Sequence, residues 1–413
     1  MAAKTMVILG GGIGGMVAAN HLRTSLPTEH RIVLIERNAD HAFAPSFLWV
    51  MTGDRKPEQV RRPLRALLRP GIDVVHALAE GLDFPARQVV TTGGSVPFDY
   101  LIIALGAELA PELIPGVADG AHSFYTLDGA TRLHEALRTL SKGCIAVVVA
   151  AMPYKCPGAP HEGAMLIRDY FRRRGLSDKV EVHLYTPESQ PMPVAGPELG
   201  KAVLQVLEAK SIQFHPGHKL IAVDPAGKSV QFQEGTADKC DLVAVIPPHR
   251  APRLVRDAGL TNSGGWVPVN PSTLETAHQG VFAIGDVTAI PIPGRWKPDA
   301  PLMLPKAGVF AHAQAGVVAS RIAAQVQGRK PDQMFCGDGY CMLEAGEDLA
   351  GFAYGNFFAE PSPEVQLKQI GKAWHVGKIL LEKWWLSAPG WKRDLYGLAL
   401  KAGSRAYGIP VAV

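Results

Sequence analysis

A chain of 413 residues, 47% hydrophobic and 19% charged, can enclose a large core and is long enough for about two or three domains. A formal net charge of only +4 over that length argues against a dedicated nucleic-acid binder. Five cysteines, at 144, 156, 240, 336 and 341, are too few for a disulfide scaffold and form no paired CxxC groups, so no metal centre is expected.

The N-terminal stretch MAAKTMVILGGGIGGMVAANHL places Lys4 before an apolar run, as an export signal would, but its glycines fit another pattern. No run of about 18 apolar residues occurs, so no membrane-spanning helix is expected. Without an export signal, a cytoplasmic protein is the first expectation. Thr5 to Leu9 reads as a strand, and Gly10, Gly12 and Gly15 follow as G-x-G-x-x-G at the start of a helix. Gly10 permits the tight turn, Gly12 lets backbone approach a pyrophosphate, and Gly15 lets helix pack on strand. The helix N-terminus then offers free N–H groups and a positive dipole end to phosphates. RIVLIE supplies the second strand, with Glu36 at its end to accept hydrogen bonds from a ribose diol.

Two later segments extend this dinucleotide site. FDYLIIALGAEL (98–109) is an apolar strand ending in small residues at Ala104 and Gly106, and GVFAIGDVTAI (280–290) is another ending in Gly285 and Asp286. Helical sequence follows Asp286, so a helix N-cap is an alternative role for it. Between these segments, GCIAVVVAAM reads as the first strand of a second βαβ unit. No glycine loop follows it. Pro153, Pro157 and Pro160 stiffen the turn and remove N–H donors that a phosphate needs, and Cys156 stands in their midst. Nicotinamide binding in the usual mode is therefore not expected. Lys155 and a helix starting near His161 favour a thiolate at Cys156, and Glu162, six residues on, is placed to exchange protons at the sulfur.

The three glycine-bearing segments, in this order, resemble the flavoprotein disulfide reductase superfamily. Within it, PYKCPGAPHE, YCMLEAG and LPKAGVFAHAQAGVVASRI resemble signatures of the sulfide:quinone oxidoreductases and of the related flavin subunit of flavocytochrome c sulfide dehydrogenase. The resemblance implies an α/β fold of two Rossmann-like dinucleotide-binding domains plus a C-terminal amphipathic membrane-binding region. Residues 1–107 and 245–325 would bind FAD, 108–244 would form the degenerate second domain, and 326–413 would form the tail region. It further implies FAD contacts at Gly10, Gly12, Ile13, Gly15, Glu36, Arg37, Pro45, Ser46, Ala77, Ala104, Gly106, Gly285, Asp286, Lys306, Ala307 and Gly308. Cys156 and Cys341 match the family's redox pair, which forms a disulfide or a polysulfur bridge. Hydrosulfide attacks one sulfur, and the thiolate freed, expected on Cys341, passes two electrons to the flavin. Lys306 matches a lysine whose charge stabilises reduced flavin.

The sequence departs from this pattern in places. HSFYT carries Tyr125 where many members have a third cysteine, and Gly129 replaces a histidine, so polysulfide growth or release is expected to differ. Cys336 reads as structural rather than as a substitute. FAPSFLW (43–49) has no cysteine, so FAD is not expected to be held by a thioether.

Residues 364–413 contain Trp374, Trp384, Trp385 and Trp391, and eight basic against three acidic residues. Two helices are predicted, split at Pro389–Gly390, the second with Trp391, Leu395, Leu398 and Ala402 on one face. A basic amphipathic tail with interfacial tryptophans suits monotopic attachment to a membrane surface. Its alternatives are packing on the protein's own core or a dimer contact, and a homo-oligomer is left open. The segment also resembles the family's KxxxEKYFL motif near the quinone, and Gly308, Trp384 and Tyr396 are the quinone-site candidates. The expected reaction is oxidation of sulfide to polysulfide or sulfur with a quinone as acceptor. A flavocytochrome c-type flavoprotein, a type II NADH:quinone oxidoreductase and a non-catalytic flavin or persulfide sensor remain the competing readings.

Overall fold

In the computed structural model, which describes residues 3–409, the run TMVIL forms strand β1 (Thr5–Leu9) in a parallel sheet. Its alternate side chains enter two separate cores: Met6 and Ile8 face one, Val7 and Leu9 the other. A continuous apolar strand is what a sheet covered on both faces requires. Helix α1 (Ile13–Ser25) follows at once, then β2 (Arg31–Ile35), β3 (Asp73–Val75) and β4 (Tyr100–Ile103).

The chain then builds a second sheet. Strand β5 (Gly143–Val149) leads through the cysteine loop into helix α2 (Ala159–Arg173), β6 (Val180–Thr186), α3 (Pro197–Ala209), β7 (Ile212–Pro216) and β8 (Leu242–Ile246). All four strands are parallel, in the order β7-β6-β5-β8. Strand β9 (Val281–Ala283) returns to the first sheet and completes the order β9-β4-β1-β2-β3, also wholly parallel. Helix α4 (Gly308–Val326) then lies against α1.

A third sheet is an antiparallel meander of β10 (Asp338–Gly346), β11 (Leu349–Asn356) and β12 (Glu364–Gly371). It carries Cys341, and helix α2 packs across β10. Helices α5 (Lys372–Trp385) and α6 (Trp391–Tyr407) close the described chain and pack on each other. The break at Pro389–Gly390 falls where the sequence predicts it. The first two residues, and the last four of the tail, lie outside the described residues.

Candidate active site

The glycine loop takes the form its spacing predicts. Gly10 has φ +100°, and a Cβ there would lie 2.6 Å from the Ala104 carbonyl oxygen. A Cβ on Gly15 would sit 1.8 Å from the Gly10 carbonyl oxygen, so helix and loop touch backbone to backbone. Gly12, by contrast, faces open space, and no side chain caps α1. Its first-turn N–H groups are therefore available to a pyrophosphate. Glu36 stands over the same loop, with Oε2 accepting from the Gly11 N–H at 2.7 Å and Oε1 from the Asn38 backbone and side chain at 2.8 Å.

Gly285 and Asp286 lie just beyond β9, in line with Ala104 beyond β4. Asp286 does not act as a helix N-cap. Its Oδ1 is shielded from solvent and accepts no hydrogen bond from the protein. An unpartnered buried carboxylate oxygen beside an open glycine loop fits a hydroxyl-bearing dinucleotide such as FAD. Burial raises the Asp286 carboxyl, while Lys155 and Lys306 pull it back down. Ser46 is less available than the resemblance implies, because its buried hydroxyl donates to Glu382 Oε1 at 2.7 Å. Pro45 lies in the same short helical turn, and Ala77 is buried after β3.

Lys306 is buried, its Nζ donating to the carbonyls of Asp286 at 2.7 Å and Thr288 at 2.9 Å. The same ammonium lies 3.5 Å from the centre of the Trp266 ring. Burial lowers its pKa to about 8 against the pull of Asp286. The segment is stitched to the cysteine loop, since the Cys156 N–H donates to the Lys306 carbonyl at 2.6 Å. On the other side of that loop, the Tyr125 hydroxyl donates to the Lys155 carbonyl at 2.9 Å. Tyr125 therefore braces the loop from the position where a third cysteine was the family expectation.

The two cysteines, far apart in sequence, come into one region where α2 crosses β10, near enough for a charge on one to act on the other. A Cβ built on Gly158 would touch Leu343 Cδ1 at 2.8 Å, Cys341 Sγ at 3.4 Å and Glu162 Oε2 at 3.9 Å. The missing side chain at Gly158 is what lets the helix start approach the strand. Cys156 and Cys341 pack against one hydrophobic cluster, are both free thiols, and a charge on Cys156 raises Cys341. Cys336 is exposed and does not join them.

The expected thiolate at Cys156 is not what this environment favours. Burial pushes the thiol up to about 12, and the Glu162 charge adds to the rise. Lys378 and the Ala159 N–H oppose it without overcoming it, and Lys378, more than the adjacent Lys155, is the cation that acts on the sulfur. Cys341 is raised by the same causes in the same order, burial and then Glu162. A reduced pair here holds its protons, so a proton acceptor is needed at the site itself.

Glu162 is that neighbour. It is 3% exposed, and its Oε1 accepts from the Glu344 N–H at 2.8 Å and from Lys378 Nζ in a tight buried ion pair. Burial raises its carboxyl, and Lys378 only partly offsets this. Lys378 stands as the first lysine of the KxxxEK pattern, but nothing in the sequence points to Glu162 as its partner.

The tail is more deeply packed than predicted. Trp374, Trp384 and Trp385 are buried, and of the four tryptophans only Trp391 is open to solvent. Trp384 lies against Trp385 and His312, with the Arg393 guanidinium 4.4 Å above its ring. Tyr396 packs partly buried on the same core, and Gly308 starts α4 with Ile13 pressed against it. Helix α6 nevertheless turns its predicted apolar face outward: Trp391 is 72% exposed, Leu395 56% and Leu398 64%. Among the described residues, no helix is long and apolar enough to cross a membrane.

The pyridine nucleotide-disulphide oxidoreductase family matches residues 4–318. The sulfide-quinone reductase of Aquifex aeolicus is 29% identical over 401 residues, covering 93% of this chain and 90% of that protein. The mitochondrial sulfide:quinone oxidoreductase of Mus musculus is 24% identical over 370 residues, covering 86% and 79%. The crystal structure of the sulfide:quinone oxidoreductase from Aquifex aeolicus superposes with a TM-score of 0.85 at 26% identity, covering 100% of this chain and 96% of that one.

Proposed function

Because the chain belongs to the pyridine nucleotide-disulphide oxidoreductase family and groups there with the sulfide:quinone oxidoreductases, we propose that it oxidises sulfide to polysulfide or sulfur and delivers the electrons to a quinone. The observation that carries this reading is the meeting of Cys156, Cys341 and Glu162 where α2 crosses β10. In the oxidised pair, hydrosulfide attacks one sulfur. A new S–S bond forms, the bridging bond breaks, and the other sulfur departs as a thiolate. Glu162, with Oε2 toward Cys341, takes the proton of the incoming sulfur. FAD, when bound, would supply a two-electron acceptor for the sulfur chemistry and a donor to quinone. Gly10, Gly12, Gly15, Glu36, Ala104, Gly106, Gly285 and Asp286 would hold it, together with Ile13, Arg37, Pro45, Ala77, Ala307 and Gly308. Lys306, fixed by two carbonyls, would bring positive charge to the reduced ring.

The competing NADH-oxidising reading needs a phosphate loop after β5, and the chain places the cysteine there. Anaerobic addition of sulfide to the purified holoenzyme is expected to bleach the flavin absorbance, and a short-chain quinone to restore it. Bleaching by NADH but not by sulfide overturns the reading.

The outward face of α6 supports attachment to a membrane surface, where a water-insoluble quinone is held. Trp391, Leu395 and Leu398 are all open to solvent. Replacing all three by glutamate is expected to weaken sedimentation with anionic vesicles at least about tenfold, by loss of buried apolar area. Sulfide-driven bleaching in detergent-free buffer should be unchanged. Undiminished vesicle binding would assign that face to another partner.

A further inference from the structure

We infer that Glu344 and His375 form, through Lys378, the outward arm of a proton path that runs from Glu162 beside the cysteine pair to the surface carboxylate of Asp348. The inference rests on the sulfide-oxidising reading, in which electrons and protons part company at the cysteines. The electron pair leaves through FAD to quinone. Reduction of the acceptor draws its own protons, whereas the S–H proton of the attacking sulfide is set free at the buried cysteines and must cross protein to reach water.

The groups needed are in series. Glu162 Oε2 and Cys341 Sγ both border Gly158, and Oε1 is paired with Lys378 Nζ and the Glu344 N–H. Lys378 is 6% exposed and Glu344 1% exposed, so both are charges withdrawn from solvent. An ammonium carries three donors, and Glu162 is the side chain that Lys378 bonds. Glu344 Oε1 is shielded and accepts nothing from the protein. The Glu344 charge acts on the Lys378 ammonium as well as that of Glu162, so the two buried carboxylates share one cation. Beyond it, Glu344 Oε2 bonds His375 Nδ1 at 2.8 Å, and His375 Nε2 lies 3.7 Å from Asp348 Oδ1. Asp348 reaches open solvent, its side chain 79% exposed. The Trp49 ring walls the path, 5.5 Å from Lys378 Nζ and 6.1 Å from the His375 ring.

The charged groups acting on His375 are Glu344 and Asp348, which raise it, and Lys378, which lowers it. The Glu344 bond dominates and holds the imidazole above its ordinary value, against partial burial. A histidine bonded through one nitrogen to a buried carboxylate and through the other toward a surface carboxylate is suited to pass a proton between them. Fold stability alone does not account for Glu344, because a buried carboxylate with an unpaired oxygen is a cost that an apolar residue would avoid.

The test uses the holoenzyme with Glu344→Gln and His375→Gln. Both are expected to slow sulfide-driven flavin bleaching at least about tenfold, the lower range for acid–base assistance. Dithionite, which reduces flavin without the cysteines, should bleach both variants as it does the parent. Added imidazole should restore bleaching in His375→Ala. Independently of turnover, the His375 titration midpoint, read by imidazole NMR, should fall in Glu344→Gln. Parent-like bleaching in either variant, or slowing that imidazole does not relieve in His375→Ala, overturns the path. Failure of the parent protein itself to bleach with sulfide overturns the activity reading instead.

Discussion

Cys341→Ser is expected to retain bound FAD and to lose sulfide-driven flavin bleaching by on the order of 10³-fold or more, as when a covalent nucleophile is removed. The reason is geometric and chemical together. Cys341 and Cys156 share one environment at the start of α2, and a hydroxyl cannot form the S–S bond through which sulfide enters. Cys156→Ser should fail equally. Neither thiol lies among the glycines and carboxylates that would hold the cofactor, so flavin content should stay at the parent level. Dithionite should still bleach both variants, which separates a lost entry point from a damaged cofactor site. A serine variant that bleaches with sulfide at the parent rate would falsify the paired-cysteine mechanism.

Glu162→Gln is expected to cost about 3–5 kcal/mol of stability, because it leaves the Lys378 ammonium buried without its carboxylate. Burial alone would lower Lys378, but the Glu162 and Glu344 charges overcome it and raise the ammonium above its ordinary value. A cation raised on folding contributes stability that is complete below the unfolded pKa, so this contribution persists through neutral pH. It is lost only as pH climbs past the ordinary lysine range. Adding Lys378→Met to Glu162→Gln should recover most of the loss, since buried ion pairs are commonly replaceable by apolar contacts. Denaturant titration of the two single variants and the double variant measures this. Bleaching by sulfide should stay slow in the double variant, because stability returns and the proton acceptor does not. If the double variant is as unstable as Glu162→Gln alone, the pair is not the source of the loss.

The dinucleotide end of the molecule was legible because its contacts are short-range. Gly10, Gly12, Gly15 and Glu36 lie within one strand–helix–strand unit, and their roles follow from spacing and backbone sterics. Cys156 was legible for the opposite reason, as a residue standing where a phosphate loop belongs. Its thiolate was misjudged, since sequence proximity to Lys155 says nothing about desolvation. The tail was half read. Periodicity found the stripe of Trp391, Leu395 and Leu398, yet it could not tell that Trp374, Trp384 and Trp385 turn inward. Lys378 and Glu382 fall on the same buried stripe as Trp374, at intervals of four residues. A lysine and a glutamate in line with a tryptophan were the available signal. Their partners, Glu162, Ser46 and Arg55, are more than two hundred residues away in sequence, where no local pattern reaches.

Helix α5 is anchored at two levels, by Lys378 to Glu162 and by Glu382 to Ser46 and Arg55. Sliding it by a turn would break both buried anchors together, so it behaves as a rigid strut between the sulfur chemistry and α6. On the proposed attachment through α6, the strut would set the height and tilt at which the thiols stand above the surface. Such attachment would fix a direction for sulfide arrival, and a hinge engineered between the two helices would blur that direction without touching a reacting atom.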